Sequence, residues 1–267
     1  MPILHLILVA IVQGITEFLP VSSSGHLILL PALTGLDDQG LVIDVAVHVG
    51  TLGAVMLYFR DDVARAFSGL FKLHTPADPD ARLALGLIVA TIPVVIAGLV
   101  IKLAGFDEAL RSVTVIGWST LIFGLVLYWS DQTGKTHKDA SDWGLKDALT
   151  MGLWQMLALI PGTSRSGITI TGARQLGYNR TDAARLAMLM SIPTIIASGT
   201  LIGLDVATQM DGAAARDSAI AAVFAFIAAL GALHFMMRLL RSVSFTPYVI
   251  YRMILGVALL AYAYGVA

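Results

Sequence analysis

Six stretches of this 267-residue sequence are apolar over a length that can cross a lipid bilayer, and this limits the possible folds more than any other feature. A transmembrane helix needs about 20 predominantly apolar residues. The chain is only 13% charged, whereas a soluble domain carries about 25% charged residues, so much of its exterior must face lipid. The predicted spans are 41–59, 83–101, 112–130, 186–204, 218–237 and 245–267.

Two further regions are apolar but too short to span, and each is interrupted by Pro, Gly and Ser. The first comprises 3–12, the break QGITEFLPVSSSG at 13–25 and a second arm at 27–36; the other comprises 148–160, the break PGTSRSG at 161–167 and an arm at 168–177. This pattern is typical of a re-entrant helical hairpin. Irregular backbone at membrane depth is tolerated only where it is buried in protein or lines a wet cavity. We therefore expect the two breaks to form the active site.

The two breaks also resemble each other, which predicts an internal repeat. PVSSSG and PGTSRSG align with one inserted residue, and each precedes three predicted spans. Because three is odd, the second half must enter from the opposite side, as in inverted repeats with broken helices. We expect an all-α integral membrane protein with six transmembrane helices plus two re-entrant hairpins. The predicted single membrane domain, 1–267, comprises a first half at about 1–130, a loop at 131–147 and a second half at about 148–267.

The basic residues predict how the chain is oriented. If the first hairpin enters from side A, side A receives only Lys102, Arg111 and Arg216. Side B receives Arg60, Arg65, Lys72, Arg82, Lys135, Lys138, Lys146, Arg174, Arg180, Arg185, Arg238 and Arg241. Basic loops are enriched on the cytoplasmic side of a membrane. Side B is thus predicted to be cytoplasmic, and the active site to open to the periplasmic face of a bacterial inner membrane.

Glu17 is the clearest ionisable residue at predicted membrane depth, where charged groups are costly and usually functional. It lies three residues before Pro20, with Gln13 one helical turn earlier on the same face. Such a carboxylate needs a cation, either a divalent metal or an arginine. A purely structural cap or pair is the alternative.

Arg165 lies between Ser164 and Ser166 in a loop rich in glycine and hydroxyl groups. Such a loop can present several N–H groups to one anion, and the following helix adds its positive N-terminus. The guanidinium fork matches phosphate oxygens, and Thr169 is one turn away. We predict a phosphate site here, facing Glu17 across the repeat. The alternative is that Arg165 only neutralises Glu17.

His26 follows three serines, at 22–24, and a histidine beside hydroxyl groups can act as base, acid or nucleophile on phosphorus. A structural histidine is the alternative, and the sequence does not choose a nucleophile among the serines. Asp44 and His48 are four residues apart in the first full span, so they share a helix face. We expect both to support the site, although a structural buried pair fits equally well.

Three segments carry a resemblance to a known family: QGITEFLPVSSSGHL (13–27), DVAVHVGTLGAVMLYFRDD (44–62) and LALIPGTSRSGITI (157–170). These segments are similar to those of the bacterial undecaprenyl pyrophosphate phosphatases, membrane enzymes linked to bacitracin resistance. The resemblance covers essentially the whole chain. The positions that the resemblance implicates in activity are Glu17, Ser23, His26, Ser164, Arg165 and Thr169. The family's first acidic position, Glu or Gln, is Gln13 here, which leaves one carboxylate for a metal.

The resemblance implies hydrolysis of the terminal phosphate of undecaprenyl pyrophosphate, which recycles the lipid carrier of peptidoglycan synthesis. It also implies a divalent cation, Mg²⁺ or Ca²⁺, on Glu17. A lipid-phosphate flippase is the alternative, because inverted repeats with broken helices are a transporter architecture. A net charge of −1 gives no footprint for nucleic acid. The oligomeric state, a homodimer among the options, is left open.

The predicted orientation can be tested by cysteine labelling, because the chain has no native cysteine. A thiol reagent that cannot cross the membrane should label a cysteine at Asp107 or Thr208 in intact cells and miss one at Thr136. All three sites should react after permeabilisation, and the cysteine-free parent should not react. The opposite pattern in intact cells would reverse the orientation.

Overall fold

The computed structural model describes residues 2–35, 39–75, 77–105, 110, 112–207 and 212–265, and this part of the chain contains helices but no β-strand. In chain order the helices are α1 (Ile3–Thr16), α2 (Ser23–Thr34), α3 (Gly40–Tyr58), α4 (Arg60–Leu70), α5 (Pro79–Ala104), α6 (Val113–Thr133), α7 (Leu145–Met156), α8 (Arg165–Gln175), α9 (Arg180–Ala207), α10 (Gly212–Leu239) and α11 (Thr246–Ala263). Short 3₁₀ turns lie at Ala140–Asp142 and Leu157–Leu159.

The six predicted spans are confirmed: among the described residues, six helices are long and apolar enough to cross a membrane. In one span, helix caps explain why the helix extends beyond the predicted limits. The span predicted at 83–101 is Pro79–Ala104. The Asp78 side chain accepts backbone N–H groups of the first turn at 2.8 and 3.3 Å, and Pro79 suits the first helical position. The helix ends at Gly105, whose φ of 69° is the left-handed conformation of a glycine cap.

The helices approach one another closely through small residues. Gly50 of α3 packs against the backbone of Ala222 in α10, and Gly14 of α1 packs against the same helix further along. In the second half, Gly152 of α7 packs against Ala90 of α5. Lipid provides no hydrophobic driving force between helices, so close van der Waals contact must hold them together. A larger side chain at these positions would separate the helices.

Packing partners of the two halves correspond to each other. The helix pair α1–α2 precedes the spans α3, α5 and α6, and the pair α7–α8 precedes α9, α10 and α11. Helix α1 packs on α10 and α7 packs on α5, so each pair contacts the middle span of the other half. This exchange agrees with an inverted repeat, which stays a prediction.

The two interrupted regions form helix pairs that meet at the predicted breaks. Helix α1 has 14 residues and α8 has 11. At 1.5 Å per residue they rise about 21 Å and about 17 Å, less than the roughly 30 Å of a bilayer's hydrocarbon core. Their re-entry into the membrane remains a prediction from these lengths.

A buried ion cluster fastens one end of the bundle. Asp131, at the end of α6, accepts from Nε of Arg174 at 3.2 Å and from Nε of Arg180 at 2.7 Å. Its second oxygen accepts the backbone N–H of Phe245 at 3.1 Å. One carboxylate therefore joins α6, α8, α9 and the start of α11. The same end holds further pairs from the predicted side B: Arg185–Asp62, Arg65–Asp80, Lys72–Asp80 and Lys138–Asp147.

The cluster generates a stability prediction. Asp131→Ala should strongly lower the apparent melting temperature in detergent, because breaking a buried ion pair leaves a buried charge uncompensated and costs about 3–5 kcal/mol. The matched control is Asp61→Ala, because the Asp61 side chain is 95% exposed. This variant should show no measurable change in melting temperature. Equal melting temperatures for the two variants would show that the cluster does not hold this end together.

Candidate active site

The two breaks share an unusual backbone conformation. Ser22 and Ser164 are the only described non-glycine residues with positive φ, at 72° and 69°. Each directly precedes a helix, and each places its hydroxyl 3.1 Å from the serine two positions on, Ser24 or Ser166. Left-handed backbone at such a residue is strained and persists only where the surroundings impose it. The two breaks are therefore equivalent local structures.

The breaks bond directly to each other. The backbone N–H of Gly162 donates to Ser24 Oγ at 3.2 Å. In the opposite direction, Ser166 Oγ donates to the carbonyl of Leu19 at 3.0 Å. The predicted meeting of the two polar segments is thus confirmed, and neither segment forms the site alone.

Glu17 forms an ion pair with Arg165 across the two halves. Its other oxygen accepts from Gln13 Nε2 at 2.7 Å and from Ser23 Oγ at 3.1 Å, and His48 Nε2 lies 3.7 Å away. An arginine and two further donors thus surround one carboxylate, and opposite charge together with these hydrogen bonds favours its ionised form.

A cavity of about 240 Å³ lies beside this ion pair. Its walls come from both breaks and from α3, α5 and α9. They are Glu17, Ser22, Ser23, Ser24, His48, Val94, Ala158, Leu159, Pro161, Gly162, Ser164, Arg165, Thr194 and Ser198. Six hydroxyl side chains and one ion pair share this lining with apolar residues such as Val94 and Leu159. The cavity thus offers polar partners to a small head group.

Backbone N–H groups add to the donors at the cavity. Neither Ser23 nor Ser24 at the start of α2, nor Arg165 nor Ser166 at the start of α8, has an acceptor for its backbone N–H among the described residues. Helix N-termini bring both free donors and partial positive charge to an anion. Both hairpins therefore offer free N–H groups, and that these groups bind a phosphate stays a prediction.

The structure places some predicted residues away from the cavity lining. His26 Nδ1 lies 2.7 Å from the carbonyl of Ser22, so this nitrogen must carry the proton and donate. Nε2 lies 2.6 Å from the hydroxyl of Tyr251 on α11. In this arrangement His26 links α2 to α11.

Three other predicted residues also bond elsewhere. An oxygen of Asp44 accepts from Gln39 Nε2 at 2.8 Å. Of the predicted pair Asp44 and His48, only His48 lines the cavity. Thr169 Oγ1 donates to the carbonyl of Arg165 at 2.8 Å. The hydroxyl of Ser166 donates to the carbonyl of Leu19.

Sequence reasoning missed Arg252. It is fully buried in α11, within the span predicted at 245–267, and donates to carbonyls of both breaks. The signal was present, because an arginine inside a membrane span is by itself a candidate functional residue.

The residues near Glu17 fit a divalent cation that substrate phosphates and waters also bind. Among the described residues no group of three or more His, Asp or Glu side chains could hold a metal. Gln13 Oε1, however, is buried without a hydrogen-bond partner beside the Glu17 carboxylate. Mg²⁺ is commonly held by one or two carboxylates together with substrate phosphates and waters. The oxygens present fit such an ion and not a metal cage built from protein alone.

Comparison with known proteins gives one consistent result. Residues 6–258 match the model of the family described as "Bacitracin resistance protein BacA". A protein of Ruegeria pomeroyi named undecaprenyl-diphosphatase is 68% identical over 267 residues, which covers 99% of this chain and all of that protein. A protein of the same name in Jannaschia sp. is 64% identical over the same shares. The undecaprenyl-diphosphatase 1 of Rhodospirillum rubrum is 48% identical over 99% of this chain and 96% of its own length.

Proposed function

The chain belongs to the BacA family of bacitracin resistance proteins, and we propose that it hydrolyses undecaprenyl pyrophosphate to undecaprenyl phosphate and inorganic phosphate. The reaction would return the lipid carrier to peptidoglycan synthesis. One observation carries the proposal beyond the family: an acidic and a basic residue, one from each break, meet at a hydroxyl-lined cavity.

Phosphate recognition is assigned to Arg165 and the helix N-termini. The guanidinium can bind two oxygens of the terminal phosphate, and the free first-turn amides of α2 and α8 can bind the others. Such donors are already oriented before substrate arrives, so they stabilise charge that develops during phosphoryl transfer. The prenyl tail would stay in lipid, because the cavity has room and polarity only for the head group.

The Glu17–Arg165 pair would open when substrate binds. A pyrophosphate competes with Glu17 for Arg165, and the carboxylate that it releases needs a new positive partner. Glu17 would then hold a divalent cation, which would supply that positive charge. The alternative reading, in which Arg165 merely neutralises Glu17, thus describes the enzyme before substrate enters.

Glu17 would hold the cation, with Gln13 Oε1 as a second oxygen. When bound, such an ion would neutralise phosphate charge as a Lewis acid. The protein's own contribution is to keep these oxygens together: the amide of Gln13 is bonded both to Glu17 and, at 3.2 Å, to Nε2 of His48. The choice between Mg²⁺ and Ca²⁺ depends on ligand number and geometry.

Ser23 is the hydroxyl best placed for attack or proton transfer. It donates to Glu17 at 3.1 Å and lines the cavity, which is the arrangement of a nucleophile beside a base. Attack by Ser23 Oγ on the terminal phosphorus, with its proton passing to Glu17, would form a serine phosphoester while the bond to the bridging oxygen breaks and undecaprenyl phosphate leaves. Water would then hydrolyse this ester, which releases inorganic phosphate and restores the serine hydroxyl. His26 would act indirectly: its hydrogen bond to the carbonyl of Ser22 would fix the backbone that orients the serines at 22–24.

The cavity is assigned to the outer face of the membrane. Its residues on α9, Thr194 and Ser198, lie beyond the middle of that helix, on the part away from the basic cluster around Asp131. Basic ends are expected in the cytoplasm. Phosphate would then be released outside the inner membrane.

A lipid-phosphate flippase is the second candidate, and one observation favours it. Helices α5 and α9, which line the cavity beside Glu17, also line a second cavity of about 500 Å³ at their opposite ends. Its walls include Leu83 on α5 and Leu186 on α9. Transport would need access from both ends, whereas hydrolysis needs one. Purified protein that moves a polyprenyl pyrophosphate between leaflets of a vesicle without releasing phosphate would favour transport.

Glu17→Gln tests the acidic side of the site. The substitution keeps the shape but removes the charge that would hold a cation, so turnover should fall by about a hundredfold or more, while expression and melting temperature stay close to those of the parent. Phosphate release over a divalent-ion titration is the measurement. Asp61→Asn, at an exposed carboxylate, is the control. Parent-like activity of the Gln variant would remove Glu17 from contact with the ion.

Arg165→Lys tests the basic side. Lysine keeps the charge but loses the planar fork, so a phosphate clamp should lose about a hundredfold in turnover, nearly as much as with alanine. A residue that only balances Glu17 would tolerate lysine. The control is Arg238→Lys, at an exposed arginine near the end of α10. If Arg165→Lys keeps more than about half of the rate, far above what losing such a donor allows, the clamp is wrong.

A further inference from the structure

Arg252 is a buried arginine without a counter-ion. Its side chain is 0% exposed, and no carboxylate among the described residues pairs with it. Its donors reach only carbonyls: Nε bonds Thr120 O at 3.1 Å, Nη2 bonds Gly162 O at 3.1 Å, and Nη1 lies 3.5 Å from Pro20 O. A buried charge costs several kcal/mol unless something compensates it. Carbonyl oxygens do not require a charged donor, so the charge itself needs an explanation.

The carbonyls that Arg252 holds are equivalent in the two breaks. Pro20 and Gly162 each lie two residues before the serine with positive φ. In a continuous helix each carbonyl would accept from the N–H four residues later. Those N–H groups belong to Ser24 and Ser166, and neither has an acceptor among the described residues. By binding both carbonyls, one guanidinium prevents both helices from extending backward and keeps their first turns open.

We propose that Arg252 is a positioning residue for the phosphate site, which holds both breaks open and supplies the fixed positive charge that the substrate pyrophosphate balances. The inference rests on the proposed phosphatase function and adds a residue to it. Arg252 does not line the cavity, and its charge lies directly behind Gly162, which does. Its effect therefore reaches the phosphate through the backbone of both breaks and through its field, which low-polarity surroundings screen weakly.

The test separates charge from shape with two substitutions. Arg252→Gln removes the charge and, with two N–H donors on a shorter side chain, cannot bridge both breaks, whereas Arg252→Lys keeps the charge and also loses the planar fork. Because both variants lose the bridge, the difference between them reports the charge. The measurements are kcat and KM for undecaprenyl pyrophosphate and competitive inhibition by inorganic phosphate. For Gln we expect KM and the inhibition constant to rise about tenfold or more, the size of a lost charged interaction. For Lys we expect phosphate inhibition within about threefold of the parent and a lower kcat.

A buried arginine of purely structural role provides the matched control. Arg174 is equally buried and also donates to carbonyls, but it is paired with Asp131 and does not line the cavity. Arg174→Lys should lower the melting temperature and leave KM and phosphate inhibition of the folded enzyme unchanged. The Arg252 inference is overturned if Arg252→Gln behaves like this control, or if Lys loses phosphate inhibition as severely as Gln.

A third substitution decides the matter if the Arg252 variants do not fold. A methyl group at Gly167 would lie 2.9 Å from Nη1 of Arg252 and 3.3 Å from Ser164. Gly167→Ala should therefore move the guanidinium from Pro20 and lower kcat in a folded protein, and unchanged kinetics would overturn the inference. A parent enzyme that releases no phosphate would instead refute the proposed function, so the two failures are distinguishable.

Discussion

Two helices that stop inside an apolar protein leave backbone carbonyls without partners, and the rest of this structure depends on how they are satisfied. Each unsatisfied group in such surroundings costs several kcal/mol. In the second break, Ser119 and Thr120 of α6 donate to the carbonyls of Pro161 and Gly162. In the first break, His26 and Ser166 donate to those of Ser22 and Leu19. The donors that stabilise the breaks are therefore different side chains from the serines that line the cavity, Ser22, Ser23, Ser24 and Ser164.

The two buried ion clusters differ in a way that matches their places. The Asp131 carboxylate is fully buried and accepts from two arginines and a backbone N–H, so its oxygens are occupied. The pair of Glu17 and Arg165 lines a cavity, so a ligand can approach both charges. A pair that a ligand can reach can exchange partners, whereas a buried carboxylate shared by three donors serves to join helices. Similar charges thus serve a fixed joint at one end and a binding site in the middle.

Much of this could be predicted from the sequence, and what could not has a physical cause. Long apolar runs predict spans well, because a bilayer requires about 20 apolar residues. The meeting of Glu17 with Arg165 followed from the repeat and from the cost of an unpaired carboxylate. The partners of His26 and Asp44 did not follow, since hydrogen bonds to Tyr251 and Gln39 depend on how distant helices rotate. Arg252 stands out in the sequence as an arginine inside an apolar span, but its role comes from carbonyls 90 and 232 positions earlier, and no sequence pattern connects it with them.

The bond between Arg252 and Pro20 has a consequence for how the protein is made. The first hairpin leaves the ribosome at the start of synthesis, but a donor for its Pro20 carbonyl arrives with the last helix. At about 5–20 residues per second, that interval is about ten seconds or longer. During it, the nascent chain must shelter a polar break from lipid by water or by the insertion machinery. A chain that terminates before α11 would keep this defect, and quality-control proteases could recognise it as incomplete.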